Sequence, residues 1–226
     1  MKKKPFYTEL AYVIGIVALA FGAALMEKAD LGMSMVVAPA YLVYLKLSRF
    51  WPFVTFGMAE YTLQAVLLVL LVVTLRRFRL AYLFSFVTAV VYGFVLDGCM
   101  ALVSPLQAST FAWRILFYAS GVLACSIGVS LLFHTYIAPE VYELVVKELS
   151  AKYGWNIHKV KTCYDCISCL IGILLSFAFF GLWHFEGVKL GTVLCALING
   201  WLIGRCSHLL ERRFLFTDRF PLRKYF

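Results

Sequence analysis

Charged side chains are scarce in this chain. Asp, Glu, Lys and Arg make up 15% of its 226 residues, against about 25% in soluble globular domains, and the mean hydropathy is +0.86. That shortage excludes an ordinary soluble fold and leaves no stretch long and polar enough for a separate soluble domain. The common catalytic signatures are missing as well. The chain has no P-loop, no Rossmann glycine pattern, no nucleophile elbow and no zinc-protease helix, so it reads as a protein that is not an enzyme. The seven cysteines are an odd number, and most fall within apolar runs, which argues against a disulfide framework.

What is present is apolar sequence in lengths that match a hydrocarbon core, about 20 residues each. Six such runs are expected as transmembrane helices: Leu10 to Met26, Phe53 to Leu75, Leu80 to Val103, Phe111 to Phe133, Cys163 to Trp183 and Val188 to Leu209. The start, Lys2-Lys3-Lys4 before an apolar run, has the look of a signal peptide, but more membrane follows and the first span is expected to stay as an anchor. With the N-terminus inside, 16 of the 21 Lys and Arg residues fall on the inner side, among them Arg76, Arg77, Arg79, Lys147, Lys152, Lys159, Lys161 and the Arg212 to Lys224 tail. The positive-inside rule then predicts both termini in the cytoplasm. Anionic headgroups account for the net charge of +9, so nucleic acid is not expected as a partner.

Shifted by about half its length, the chain partly overlays itself. Gly15, Gly22, Leu25 and Leu31 recur 106 positions later as Gly121, Gly128, Leu131 and Ile137, and Ser85, Ala89 and Gly93 recur 107 positions later as Thr192, Ala196 and Gly200. Three spans per half is an odd number, so the second copy would be inverted, as in many secondary transporters. The expected fold is thus an all-α membrane protein of a single polytopic domain: repeat one about 8–104, repeat two about 110–211, and a basic tail 212–226. Each half also carries a segment too short and too amphipathic to span, Ser34 to Ser48 and Pro139 to Tyr153, expected to lie at an interface or to dip in as a half-helix. Leu31-Gly32-Met33-Ser34 aligns without a gap on Ile137-Ala138-Pro139-Glu140. The two stretches either turn at the surface or point helix starts, with their partial positive charge, at a substrate.

These residues, together with Gly15, Gly22, Ala29, Asp165, the run Gly187-Val188-Lys189-Leu190-Gly191-Thr192 and Gly200, resemble the YitT/YczE-like bacterial integral membrane proteins. Two positions depart from that pattern: Met35 stands where the family more often has Pro, and Val141 where it more often has Asp. The chain also lacks the soluble extension of some members. The resemblance implies a multi-pass protein of the bacterial cytoplasmic membrane and no particular reaction, since the family's activity is largely undefined.

Ionisable groups inside a span are costly and are read first as functional. Glu60 and Asp165 qualify, and their separation of 105 is close to the repeat offset, so they are expected as pseudo-symmetric partners that exchange protons or bind a cation. The alternative places Asp165 at the interface in water and pairs Glu60 with a tyrosine or lysine. Gln64 and Asn199 are expected either as interhelical hydrogen-bonding groups or as cavity lining. Gly32, Ser34, Pro139 and Glu140 are expected at the ends of the broken segments, and Asp97 reads as a lip residue. Cys163, Cys166 and Cys169 have a spacing reminiscent of metal ligation, but on a helix three thiols so spaced do not converge, and no further ligand pair follows. No metal or cofactor is expected. His134, His158, His184 and His208 fall at span ends as interfacial anchors.

The leading expectation is a secondary transporter of a small molecule or ion with a midplane acidic site. Two alternatives stand beside it: a scaffold or accessory subunit whose basic loops bind a cytoplasmic partner, and the substrate-capture subunit of an importer. The lipid bilayer is a certain neighbour, and the sequence leaves a homo-oligomer open.

Overall fold

The computed structural model describes residues 4–182 and 186–220, without the side chains of 80, 81 and 158. Lys2, Lys3, Trp183, His184, Arg223, Lys224 and the side chain of His158, which entered the sequence reading, lie outside the described residues. Among the described residues there are eight helices: α1 (Thr8–Ala29), α2 (Ala38–Leu47), α3 (Phe56–Leu75), α4 (Leu80–Val103), α5 (Phe111–Phe133), α6 (Val141–Tyr153), α7 (Ile157–Phe180) and α8 (Leu190–Arg213). Six of them are long and apolar enough to cross a membrane, all but α2 and α6. Residues 4–7 pair with residues 214–217, so the first and last described stretches lie on one side of the six-span bundle, called the terminal side below. The α1–α2 and α7–α8 connections lie on the far side.

Local chemistry sets the helix ends. Thr55 and Thr110 cap α3 and α5 by accepting the backbone N–H of Met58 at 3.1 Å and of Trp113 at 3.4 Å. The α6 helix closes on Gly154 in the left-handed conformation, φ +67°, where glycine has no Cβ to clash. The fifth long helix corrects the expected boundary, since it begins at Ile157 and not at Cys163. The reason is internal neutralisation. Lys161 and Asp165, one turn apart, form an ion pair, so the polar stretch that looked like a loop continues as helix.

Helices α1 and α5 run antiparallel at the centre and cross at glycines. A Cβ built on Gly15 would lie 3.1 Å from the Gly128 carbonyl oxygen, and one on Gly22 would lie 2.6 Å from that of Gly121. Small residues let two backbones approach this closely and gain van der Waals contact that lipid cannot compete for. Around this pair α4 packs on α1 and α3, while α8 packs on α5 and α7. The two short helices fill the remaining gaps, α2 against α7 and α3, and α6 against α3 and α7.

Two four-residue strands, absent from the sequence reading, join the chain ends. β1 (Lys4–Tyr7) pairs in parallel with β2 (Phe214–Thr217), in the register Lys4 with Phe214. Thr8 Oγ1 donates to Asp218 at 2.9 Å, and the Glu9 carboxylate accepts the backbone N–H groups of Arg219 and Phe220 at 3.0 to 3.2 Å. The stretch Phe214 to Phe220 is therefore tied to the N-terminus and is not a free basic tail. Glu9→Ala removes the acceptor for both N–H groups, and trypsin is expected to cut after Arg219 several-fold faster in that variant. An unchanged cleavage rate in detergent-purified protein would show that the strand pair alone holds the segment.

Candidate functional site

The polar residues that the sequence spreads over five elements converge inside the bundle. On α3, Gln64 lies eight residues past the first residue of the helix, about 12 Å along the axis at 1.5 Å per residue. Its amide is shared in both directions. The Gln64 Oε1 atom accepts the N–H of Val141, the first residue of α6, at 3.0 Å, while Nε2 donates to Glu140 Oε2 at 3.1 Å and to Glu60 Oε1 at 3.5 Å. One side chain thus caps the start of α6 and holds two carboxyl groups beside it.

From that point α6 runs alongside the second half of α3. Lys152, near its end, reaches the Thr74 carbonyl at 3.3 Å. Glu148, on the last turns, meets Arg77 at 2.8 Å, Arg79 at 3.5 Å and the Tyr82 hydroxyl at 2.9 Å. The connection before α6 is pinned by α4, where Thr88 Oγ1 donates to the Ala138 carbonyl at 2.9 Å and Ser85 Oγ to that of Pro139. Glu148 is partly shielded, and its loss leaves the Tyr82 hydroxyl and two half-exposed arginines without an acceptor. Glu148→Ala is expected to cost about 1 to 2 kcal/mol, discounted for the exposed arginines, read as a lower melting temperature with little change in any ligand response.

On the far side α2 has the corresponding placement. Its Ala38 packs near Gly172 of α7, and Lys46 reaches the Phe179 carbonyl at 3.3 Å near the end of that helix. The turn before it is held by backbone hydrogen bonds, Met33 N–H to Gly187 at 2.8 Å and Gly191 N–H to Leu31 at 3.1 Å. Gly32 has φ +122°, and a Cβ there would lie 2.6 Å from Thr192 Oγ1, so both the backbone angle and the close approach demand glycine.

On α7, Lys161 and Asp165 face the same interior. Lys161 Nζ lies 2.9 Å from Asp165 Oδ1 and 3.5 Å from Glu143 Oε1. Exposure decides what kind of site this is: Glu60 and Asp165 are 0% exposed, Glu140 1%, Glu143 2% and Lys161 4%. Four carboxyl groups thus lie buried with one ammonium, which pairs with Glu143 and Asp165, a setting tolerable only when the excess charge is neutralised. Glu140 lies ahead of α6 and outside the six spans. Burial first, then the neighbouring Glu143 and Glu60, pushes its carboxyl well above the usual carboxylate range.

Two spaces touch this cluster. An interior cavity of about 20 Å³ lies among Ser34, Tyr92, Glu140, Tyr142, Glu143, Lys161 and Asn199, with Cys125, Val129 and α1 side chains closing it. A wider vestibule of about 350 Å³ enters from the terminal side between α5, α6, α7 and α8, past His134, Lys147, Ile157 and Glu211, and ends on Pro139, Gly200 and Lys161. Lys161 lines both. On the far side an opening of about 450 Å³ is lined by Glu27, Asp30, Tyr41 and Arg114 and by none of the cluster residues. There Asp30 is paired with Arg114 at 2.7 Å and with Lys189, and Gly32 abuts Thr192.

Of the residues singled out from the sequence, Glu60 and Glu140 are both held by Gln64. Ser34, Glu140 and Asn199 line one cavity. Asp165 belongs to the same cluster but pairs with Lys161, which also meets Glu143, so the expected pairing with Glu60 is not what the structure shows. The Asp165 side chain is 0% exposed, so the water-exposed alternative does not hold, and it lies eight residues past the start of α7. Pro139 borders the vestibule, whereas Gly32 is a packing residue. Asp97 accepts the Gly57 N–H at 2.9 Å and secures the start of α3. Cys163 and Cys166 are exposed while Cys169 is buried, and among the described residues no group of three His, Cys, Asp or Glu side chains converges as a metal site. The sequence reading missed Lys161, Glu143, Tyr92 and Tyr142. Lys161 was counted among inner-loop cations, yet it is a buried residue of α7.

Six long apolar helices around a buried cluster of ionisable residues define a multi-pass integral membrane protein. More narrowly, residues 6–208 match the profile described as "Family of unknown function (DUF6198)", and the chain belongs to that family. No curated protein and no solved structure matches it.

Proposed function

We propose that the protein is a secondary transporter of a small molecule or ion, built as an inverted repeat of three spans and one re-entrant half-helix per copy, with both termini in the cytoplasm. The observation that carries this reading is the buried cluster of Glu60, Glu140, Glu143, Lys161 and Asp165, touched at Lys161 by a vestibule from the terminal side. A purely structural interior gains little from four carboxyl groups and one lysine out of water, since apolar residues of the same volume serve stability as well or better. A path from the terminal side to a charged interior site suits one end state of alternating access.

The glycine contacts support the symmetry. Gly15 meets Gly128 and Gly22 meets Gly121, and those four residues are the ones that recur at an offset of 106. Such reciprocal pairing, each member of one pair being the repeat of a member of the other, is the mark of an isologous two-fold contact. The helix neighbours obey the same exchange: α2 lies on α7 as α6 lies on α3. Ser34 and Glu140, also 106 apart, both face the interior cavity. The basic loops of the terminal side favour a cytoplasmic vestibule. The likeness to YitT/YczE-like proteins suits this architecture. The accessory-subunit alternative draws on the basic inner loops, Lys147 to Lys161, and on the Arg212 to Lys224 tail, and strand β2 ties Phe214 to Thr217 of that tail to β1.

A thermal-shift screen of the purified protein against amino acids, vitamins, nucleobases and organic ions tests the reading. A substrate raises the melting temperature by mass action, and Glu60→Gln, which keeps shape and removes charge, is expected to lose that rise while melting normally without ligand. A well-behaved sample that responds to no solute would contradict the proposal.

A further inference from the structure

The interior cavity has unmet bonding capacity that the transport reading does not use. Glu140 Oε1, Glu143 Oε2 and the Tyr92 hydroxyl are buried oxygens without a hydrogen-bond partner, and all three residues line the same space of about 20 Å³. Buried polar atoms are ordinarily paired, and each exception calls for an occupant or a function. Ser34 and Asn199, also on the wall, add neutral oxygens.

Charge points the same way. Asp165 and Glu143 share Lys161, but the near neighbours of Glu140 by hydrogen bond are the neutral Gln64 amide and the start of α6. A carboxylate at 1% exposure with no cation of its own needs a proton or an ion.

Size narrows the class of ion. A space of about 20 Å³ admits a single water-sized occupant, for which roughly 10–15 Å³ is the minimum. An organic amine does not fit. Magnesium holds several waters that have no room here, and among the described residues no three acidic or imidazole ligands converge for a divalent ion. Two carboxylates supplemented by hydroxyl and amide oxygens are a hard, weakly charged donor set.

We propose that this cavity binds one unhydrated monovalent cation of sodium size, held by Glu140 and Glu143, with Lys161 standing between it and the vestibule. This deepens the transporter reading by naming the coupling ion, and it rests on that reading for its role in transport, though not for the binding itself. Because Lys161 already touches Glu143, entry of the ion loosens that contact, and site occupancy is coupled to the position of α7. Protons compete for the same carboxyls. The groups facing Glu140 from the surrounding elements are Tyr12, Glu60, Tyr92, Cys125, Tyr142, Glu143 and Lys161, and burial already holds the Glu140 carboxyl above the usual carboxylate range, so acid favours the proton over the cation there.

The test is equilibrium binding of radioactive sodium to the purified full-length protein, with choline keeping ionic strength constant. Saturable binding at pH 8, weakened at least tenfold at pH 5.5, displaced by lithium more readily than by choline, and lost in Glu140→Gln and in Glu143→Gln, is the expected result. A melting-temperature rise with sodium in the wild type, absent in Glu140→Gln, is the parallel readout, and it stands on the wild type alone if a variant fails to fold. Absence of saturable sodium binding to well-folded wild-type protein would overturn the cation site. Should sodium fail to bind while a solute response lost in Glu60→Gln persists, the cation site falls and the transporter stands. Sodium binding without any solute response keeps the site and removes its role as the coupling ion of a solute transporter.

Discussion

Gly22→Leu and Gly121→Leu are each expected to abolish the folded protein. At both positions a Cβ would lie 2.6 to 2.7 Å from the carbonyl oxygen of the other glycine, closer than real Cβ atoms come to a carbonyl. The obstacle is backbone on both sides, so no side-chain rotation relieves it, and α1 and α5 must separate along the central contact of the bundle. Overpacking commonly costs about 1 to 3 kcal/mol, and here it also breaks the packing that holds two spans together in lipid, so a loss of about 3 kcal/mol or more is expected. Gly98 supplies the control, because a Cβ there meets nothing within 4 Å. Gly98→Ala is expected to be neutral or stabilising by up to about 1 kcal/mol through helix propensity. Detergent-extracted yield and monodispersity on size exclusion read both outcomes. A Gly22→Leu protein that elutes and melts like wild type would refute the close crossing.

Lys161→Met is the second large effect. It removes the ammonium shared by Glu143 and Asp165, at 5% side-chain exposure, and leaves two buried carboxylates without a counter-charge. Breaking a buried pair from one side costs about 3 to 5 kcal/mol, so a large fall in melting temperature at neutral pH is expected. The sign with pH follows from charge. Acid protonates the orphaned carboxyls and removes the uncompensated charge, so the variant's deficit shrinks as pH falls and grows as pH rises. Lys161→Met combined with Asp165→Asn recovers part of the loss, and the double-mutant cycle measures the coupling. A deficit that is the same at acidic and alkaline pH, with no recovery in the double variant, would mean that Lys161 serves only by packing.

The apolar runs made the spans legible, since a helix across lipid must be long and nearly uncharged. The α4 and α5 helices have the expected ends, Leu80 to Val103 and Phe111 to Phe133. The repeat of glycines was visible too, though not that Gly15 would meet the repeat of Gly22. Glu60, Gln64, Glu140 and Asn199 stood out because polar groups in or beside apolar runs demand partners. Lys161 and Glu143 did not, because each sits in a stretch polar enough to pass for an interface. The usable signal was the four-residue spacing of Lys161 and Asp165, which lets an ion pair form within one helix and carry it through a polar segment. Nothing in the amphipathic pattern of α6 indicated that its first turn lies beside Gln64 while its last lies beside Arg77. That depth is set by tertiary hydrogen bonds from Gln64, Ser85 and Thr88. The pairing of β1 with β2 was equally hidden, since four residues carry too little alternation to distinguish a strand from a helix end.

The central claim is that the buried acidic cluster is where a solute or ion crosses. Its most direct test is flux: wild type, Glu60→Gln and Asp165→Asn reconstituted in liposomes on a solid-supported membrane, with jumps of sodium, proton and solute concentration. The account predicts a transient current or solute uptake in the wild type and its loss in both variants at equal protein density. Wild-type liposomes as silent as empty ones under every gradient, or variants as active as the wild type, would contradict it.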